Sequence, residues 1–159
     1  MIAGLAPFTF VHVVISLVAI ATGFLVLFGL LGNRRMDAMT AVFLAFTTAT
    51  TVTGFFLPFT TLTPAVKLGI VAAIVLVPTL AARYLFAMRG AWRWIYVIGA
   101  VASLYFNCFV LVVQLFGKAP ALHALAPSGS EPPFAVTQGL VLVFFLITGF
   151  LAVRRFRPA

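Results

Sequence analysis

Few side chains in this sequence have types suited to chemistry beyond hydrogen bonding. They are two histidines, His12 and His123, two carboxylates, Asp37 and Glu131, and one thiol, Cys108. A neutral imidazole nitrogen is the commonest protein ligand for metals and a usual axial ligand for haem iron. His12 and His123 are therefore the candidates for a haem or copper site. Both are expected on the same side of a membrane, so one bis-histidine haem or one copper ion is the redox chemistry open to the chain. A haem stack crossing the membrane is not, because no histidine falls near the other side. Asp37 and Glu131 are expected on opposite faces, which removes a carboxylate pair for general acid–base work. The sequence contains neither G-x-S-x-G nor H-E-x-x-H, and its single cysteine excludes an intramolecular disulfide or a cysteine-based zinc site. No catalytic residues are assigned.

A second pattern emerges when the apolar segments are aligned by depth. His12, Thr53, Lys67, Gln114 and Gln138 each fall about one turn from the outer end of a different segment, and Asn107 lies two turns deeper than Gln114 on the same helical face. Polar groups inside a membrane are costly and usually face the bundle interior or a water-filled cavity. The expected site is a polar pocket open to the outer side, lined by His12, Thr53, Lys67, Asn107, Gln114 and Gln138. His123 and Glu131 lie above it. Such a pocket suits a small ligand, a quinone or a lipid headgroup.

The elements that position these residues follow from composition. Hydrophobic residues make up 64% of the chain and charged residues 8%. A chain so poor in charge cannot cover its surface in water, so lipid must cover it. Helices of about 20 residues cross the hydrocarbon core. The uncharged stretches place five spans near 8–31, 38–57, 64–88, 92–117 and 134–153, giving an all-α integral membrane bundle over 1–159 with one substantial outer loop, 118–133. Gly32-Asn33 closes the first span and Pro58 the second. Pro64 starts the third, which Pro78 should kink. The part of the loop beginning at Pro120 suits a short helix on the membrane surface. The first apolar stretch exceeds a signal-peptide core, lacks a basic leader and ends at Arg34-Arg35, so it reads as a retained helix.

Charge sets the expected orientation. Arg34, Arg35, Arg83, Arg89, Arg93, Arg154, Arg155 and Arg157 share one side, against Lys67 and Lys118 on the other. Excess basic residues mark the cytoplasmic face, so the N-terminus is expected outside and the C-terminus inside. Trp92, Trp94, Tyr84 and Tyr96 gather at the cytoplasmic interface as an aromatic belt. The net charge of +8 thus reports orientation rather than nucleic-acid binding, for which the chain has no soluble domain.

Between helices in lipid, close contact of small residues replaces the hydrophobic drive. The ladders Ala19/Gly23, Ala41/Ala45/Ala49/Thr53, Ala65/Gly69/Ala73, Gly99/Ser103 and Thr148/Ala152 are expected to face inward, or to serve a homo-oligomer or a larger membrane complex. The threonines of the second span are expected to bond carbonyls one turn back.

Three stretches carry a resemblance: Leu62-Thr-Pro-Ala-Val-Lys-Leu-Gly69, Gly90-Ala-Trp-Arg-Trp-Ile-Tyr96 and Ala121-Leu-His-Ala-Leu-Ala-Pro-Ser-Gly-Ser-Glu-Pro-Pro-Phe134. They look like a family of small five-span bacterial inner-membrane proteins of unknown function, which implies a bacterial inner membrane with periplasm outside. Val11-His-Val-Val-Ile-Ser-Leu-Val-Ala-Ile-Ala-Thr-Gly23 resembles the first span of small haem-binding membrane proteins, which have further intramembrane histidines that this chain lacks.

Overall fold

The computed structural model of the protein describes residues 6–57 and 64–157, and among these the regular secondary structure is all helical, with no strands. Its helices are α1 (Pro7–Leu31), α2 (Asp37–Phe55), α3 (Pro64–Leu80) continued by a π turn (Ala81–Leu85), α4 (Trp92–Lys118), α5 (Pro120–His123) and α6 (Pro132–Arg155). Five helical segments among the described residues are long and apolar enough to span a membrane. Pro58, together with Leu62 and Thr63 of the first resembling stretch, lies outside the described residues.

The ends of the helices follow from local chemistry. α1, α5 and α6 begin with proline in the first turn, where a missing N–H costs no bond. α1 ends in a Schellman turn. Asn33 adopts φ 53°, its N–H donates to the Leu30 carbonyl and the Arg34 N–H to the Gly29 carbonyl. The side-chain oxygen of Asn33 accepts the Arg157 N–H at 2.7 Å, tying the chain beyond α6 to the α1–α2 turn. Pro78 does not end α3. The helix runs through it and widens one turn later, where the Phe86 N–H reaches back to the Ala81 carbonyl. Pro78 lacks a donor and crowds the preceding turn, and a π turn is one way to absorb that disturbance.

α4 is the axis. It packs against α1, α3 and α6 and touches α2, while α2 bridges α1 and α3. No residues of α3 approach those of α6, so one flank of α4 is left to lipid. Leu27, Phe43, Leu44, Val97 and Leu104 form the fully buried middle of the bundle. Two glycines permit this approach. A Cβ on Gly23 would lie 2.6 Å from a Leu104 methyl and 2.8 Å from the Phe43 ring. One on Gly99 would overlap the Thr79 hydroxyl oxygen.

Two expectations about faces are corrected. Ala41 and Ala45 are exposed, and the buried side of α2 is Thr40, Phe43, Leu44 and Thr47 instead. Phe43 fills the space over Gly23, so the larger residues of α2, not its alanines, turn inward. Tyr96 is not part of an interfacial belt. It is 2% exposed, with its hydroxyl 3.3 Å from Thr40. Trp94 and Tyr84 are exposed, whereas Trp92 stacks on Phe86 at 3.8 Å.

Gly99→Ala should therefore lower thermal stability in mild detergent by about 1–3 kcal/mol through overpacking. Adding Thr79→Ala should recover part of that loss, because it removes the hydroxyl that the new Cβ meets. Strict additivity of the two losses would refute the contact.

Candidate functional site

The expected polar layer resolves into separate pairs, each joining two helices. His12 on α1 and Thr53 on α2 meet at 2.8 Å between Nδ1 and the hydroxyl oxygen. The Thr53 hydroxyl donates to the Ala49 carbonyl at 2.7 Å. Its single hydrogen being committed, Thr53 accepts from His12, so Nδ1 carries the proton and Nε2 holds a lone pair. That lone pair has no partner among the described residues. Asn107 on α4 donates weakly to the Thr47 hydroxyl at 3.4 Å. Gln138 on α6 donates to the Phe109 carbonyl of α4 at 3.1 Å, and its own carbonyl oxygen is buried without a partner.

α2 links the first two pairs. Thr47, Thr50 and Thr53 follow one another in three-residue steps, with the hydroxyl of Thr50 buried and unbonded between its bonded neighbours. Thr48 and Thr51 satisfy themselves on carbonyls one turn back, as their sequence predicts. A polar seam thus runs from His12 towards the middle of the bundle along α2 and α4. Ser103, one turn below Asn107 on α4, has a second buried hydroxyl without a partner.

The remaining residues of the expected pocket stand apart. Lys67 and Gln114 are exposed at the bundle surface, with no side-chain bond among the described residues. His123 on α5 donates from Nδ1 to the Phe116 carbonyl at 3.3 Å. No residues of α1 and α5 come into contact, so the fold does not draw the two histidines together. Among the described residues no three of His, Cys, Asp and Glu gather. Glu131, just before α6, accepts the Ser128 and Ser130 N–H groups, and these bonds hold its carboxyl down at about 2.

A second cluster, unforeseen as a unit, closes the arginine-rich end. Arg83, presented by the π turn, pairs with Asp37 at the start of α2. Its guanidinium lies 5.6 Å from the centre of the Tyr96 ring and donates to the sulfur of Met88. Arg35 also reaches Asp37, at 3.4 Å. The Arg83 side chain is 8% exposed, so Asp37 compensates the one guanidinium in the cluster that the fold withholds from solvent. Arg93 of α4 donates to the carbonyls of Val153 and Phe156, satisfying the last turn of α6.

The chain matches no protein family, no curated protein and no solved structure. Function must therefore be argued from these side chains.

The direction of the His12–Thr53 bond makes the two deletions unequal. Thr53→Val strands the Nδ1–H of His12, whereas His12→Leu leaves Thr53 bonded to Ala49. Denaturant titration in detergent micelles should show Thr53→Val as the costlier change. The whole bond is worth about 0.6 kcal/mol, and up to ~1.7, on the scale of interhelical bonds in membranes. The reverse order would mean the imidazole is the acceptor.

The carboxyl of Glu131 gives a pH dependence. Its folded pKa lies below the unfolded value of about 4.3, so its contribution is present above that value and vanishes as pH falls through about 2. Protection of the Ser128 and Ser130 amides, with exchange rates corrected for the intrinsic pH dependence of free amides, should fall over that window and stay constant above pH 5. Glu131→Gln should show low protection of these amides at every pH.

Proposed function

We propose that this is a multi-pass protein of a bacterial inner membrane, with its arginine-rich end in the cytoplasm. Its outer polar seam binds a small ligand, a quinone or a lipid headgroup, in a binding, carrier or accessory role. The observation that carries this reading is the pair of buried polar atoms in the outer half left without partners, the Thr50 hydroxyl and the Gln138 carbonyl, beside a half-buried His12 whose Nε2 is unbonded among the described residues. A buried polar group without a partner costs about 1–3 kcal/mol, and hydrocarbon offers no water to relieve it. A ligand with hydrogen-bonding groups at this depth satisfies them. Lys67 and Gln114, exposed near the same end, suit the entrance.

The eight-to-two distribution of basic residues supports the orientation. In a Cys108→Ala background, Ser128→Cys should react with an impermeant maleimide on intact cells. Arg89→Cys should react only after the membrane is opened. The opposite labelling would invert the topology and turn the seam towards the cytoplasm.

A second reading, a haem or copper protein, is favoured by one feature. Each histidine uses Nδ1 as a donor, which leaves its Nε2 with the lone pair that metals take. Because the fold keeps the two apart, such a group would be held by one of them, His12 or His123, and not by the pair. An ultraviolet–visible spectrum with metal analysis of the detergent-purified protein separates the readings. A colourless, metal-free sample that yields a quinone or specific lipid on extraction, reduced in His12→Leu, supports the first. A haem band or stoichiometric copper, lost in His12→Ala, replaces it with the second.

A further inference from the structure

The flank of α4 left open between α3 and α6 contains a groove of about 420 Å³ formed with α6. Small residues create it: Ala102 on α4 and Gly149 on α6 lie among Ile98, Tyr105, Leu142 and Phe150. The groove is apolar and belongs to the lipid-facing side. Along α6 it extends from Leu142 to Val153, eleven steps of about 1.5 Å or roughly 16 Å. Half of a hydrocarbon core of about 30 Å is ~15 Å. The groove is thus as long as one leaflet is deep.

Cations stand at its arginine-rich end. The Arg154 guanidinium lies over the ring of Phe150, a groove residue, 4.8 Å from its centre. Arg93 binds the carbonyl of Val153, the last residue of the groove, and leans on Trp94. No carboxylate neutralises Arg154 among the described residues, because Asp37 is engaged by Arg83 and Arg35 and Glu131 lies at the other end of α6.

We propose that the α4–α6 groove binds one anionic phospholipid from the leaflet at the arginine-rich end. The phosphate sits between Arg93 and Arg154, and one acyl chain lies in the groove as far as Tyr105 and Leu142. The apolar cleft holds the chain, and the two guanidinium groups choose the headgroup, since arginine's planar fork matches phosphate oxygens. This site is separate from the outer polar seam and does not depend on the function proposed for it.

The test is native mass spectrometry of the protein after equilibration with equimolar phosphatidylglycerol and phosphatidylcholine in mild detergent. Wild-type protein should carry a singly bound phosphatidylglycerol several times more often than phosphatidylcholine. Each arginine near an anionic headgroup is worth about fivefold in affinity, so Arg154→Gln should cut that excess by about fivefold. Arg89→Gln, at the same end but on the α3–α4 turn, should leave it intact. Ala102→Phe fills the groove and should lower retention of both lipids, with Ala102→Leu as the milder variant if the larger ring prevents folding. Equal retention of the two lipids by wild-type protein overturns the proposal. So does an equal loss in Arg89→Gln and Arg154→Gln, which would indicate diffuse charge. Unchanged retention in a folded groove-filling variant, or a lipid-free dimer, would assign the groove to another occupant.

Discussion

The close approach of α4 to its neighbours is the contact on which the other positions depend. Apolar side chains gain little by leaving lipid for one another, so helices in a membrane associate where backbones can come near enough for dense van der Waals contact. Here that occurs at two glycines on different helices. Gly23 of α1 receives Phe43 and Leu104, and Gly99 of α4 receives Thr79. The first joins α1, α2 and α4, and the second joins α3 to the same axis. With α4 fixed at these points, Asn107 is carried to Thr47, Tyr96 to Thr40 and Arg83 over the Tyr96 ring. The polar contacts then select the register within a bundle that glycine allows to close.

Those polar contacts fall into two groups, with a largely apolar middle between them. Towards one end lie His12, Thr53, Thr50, Thr47 and Asn107. At the other lie Tyr96, Thr40, Arg83 and Asp37. Between Thr47 and Thr40 on α2 stand Phe43 and Leu44, and between Asn107 and Tyr96 on α4 stand Leu104 and Val97, all buried. Two buried hydroxyls lie among them: Ser103, without a partner, and Thr79 of α3, bonded back to the Val75 carbonyl. No hydrogen bond joins the two groups among the described residues, which gives the two halves of the bundle separate chemistry.

Much of this architecture was legible in the sequence, for reasons that also mark the limit of legibility. Hydrocarbon thickness and the absence of charge fix the spans, and proline at a first turn and Gly32-Asn33 fix ends, because these depend only on local backbone chemistry. The alignment of His12 with Thr53 by depth was legible for the same reason, since rise per residue is constant. Which face of a span turns inward was not. Apolar side chains are equally at home in lipid and in the core, so periodicity carries no signal there. The alanines at 41 and 45 accordingly looked inward and are exposed, while Tyr96 looked interfacial and is buried. The Arg83–Asp37 pair also escaped notice. Its geometry depends on the π turn after Pro78, and forty-six residues separate the partners.

The single carboxylate at the arginine-rich end explains how eight cations are tolerated there. An exposed arginine at a headgroup boundary needs no protein partner, because water and phosphate surround it. A guanidinium enclosed by the bundle has neither, and an uncompensated buried charge is among the costlier defects a fold can carry. Asp37 answers the enclosed one, Arg83, with the Tyr96 ring and the Met88 sulfur completing its surroundings. Arg93, also partly enclosed, is satisfied by the carbonyls that α6 leaves free at its end. Arg34, Arg89, Arg154, Arg155 and Arg157 remain exposed with no acid beside them. No carboxylate of the described residues stands beside them, so their charge is left to the surroundings. An anionic lipid surface would compensate it along the whole end, and in the site proposed at the head of the α4–α6 groove the same requirement narrows to a single phosphate.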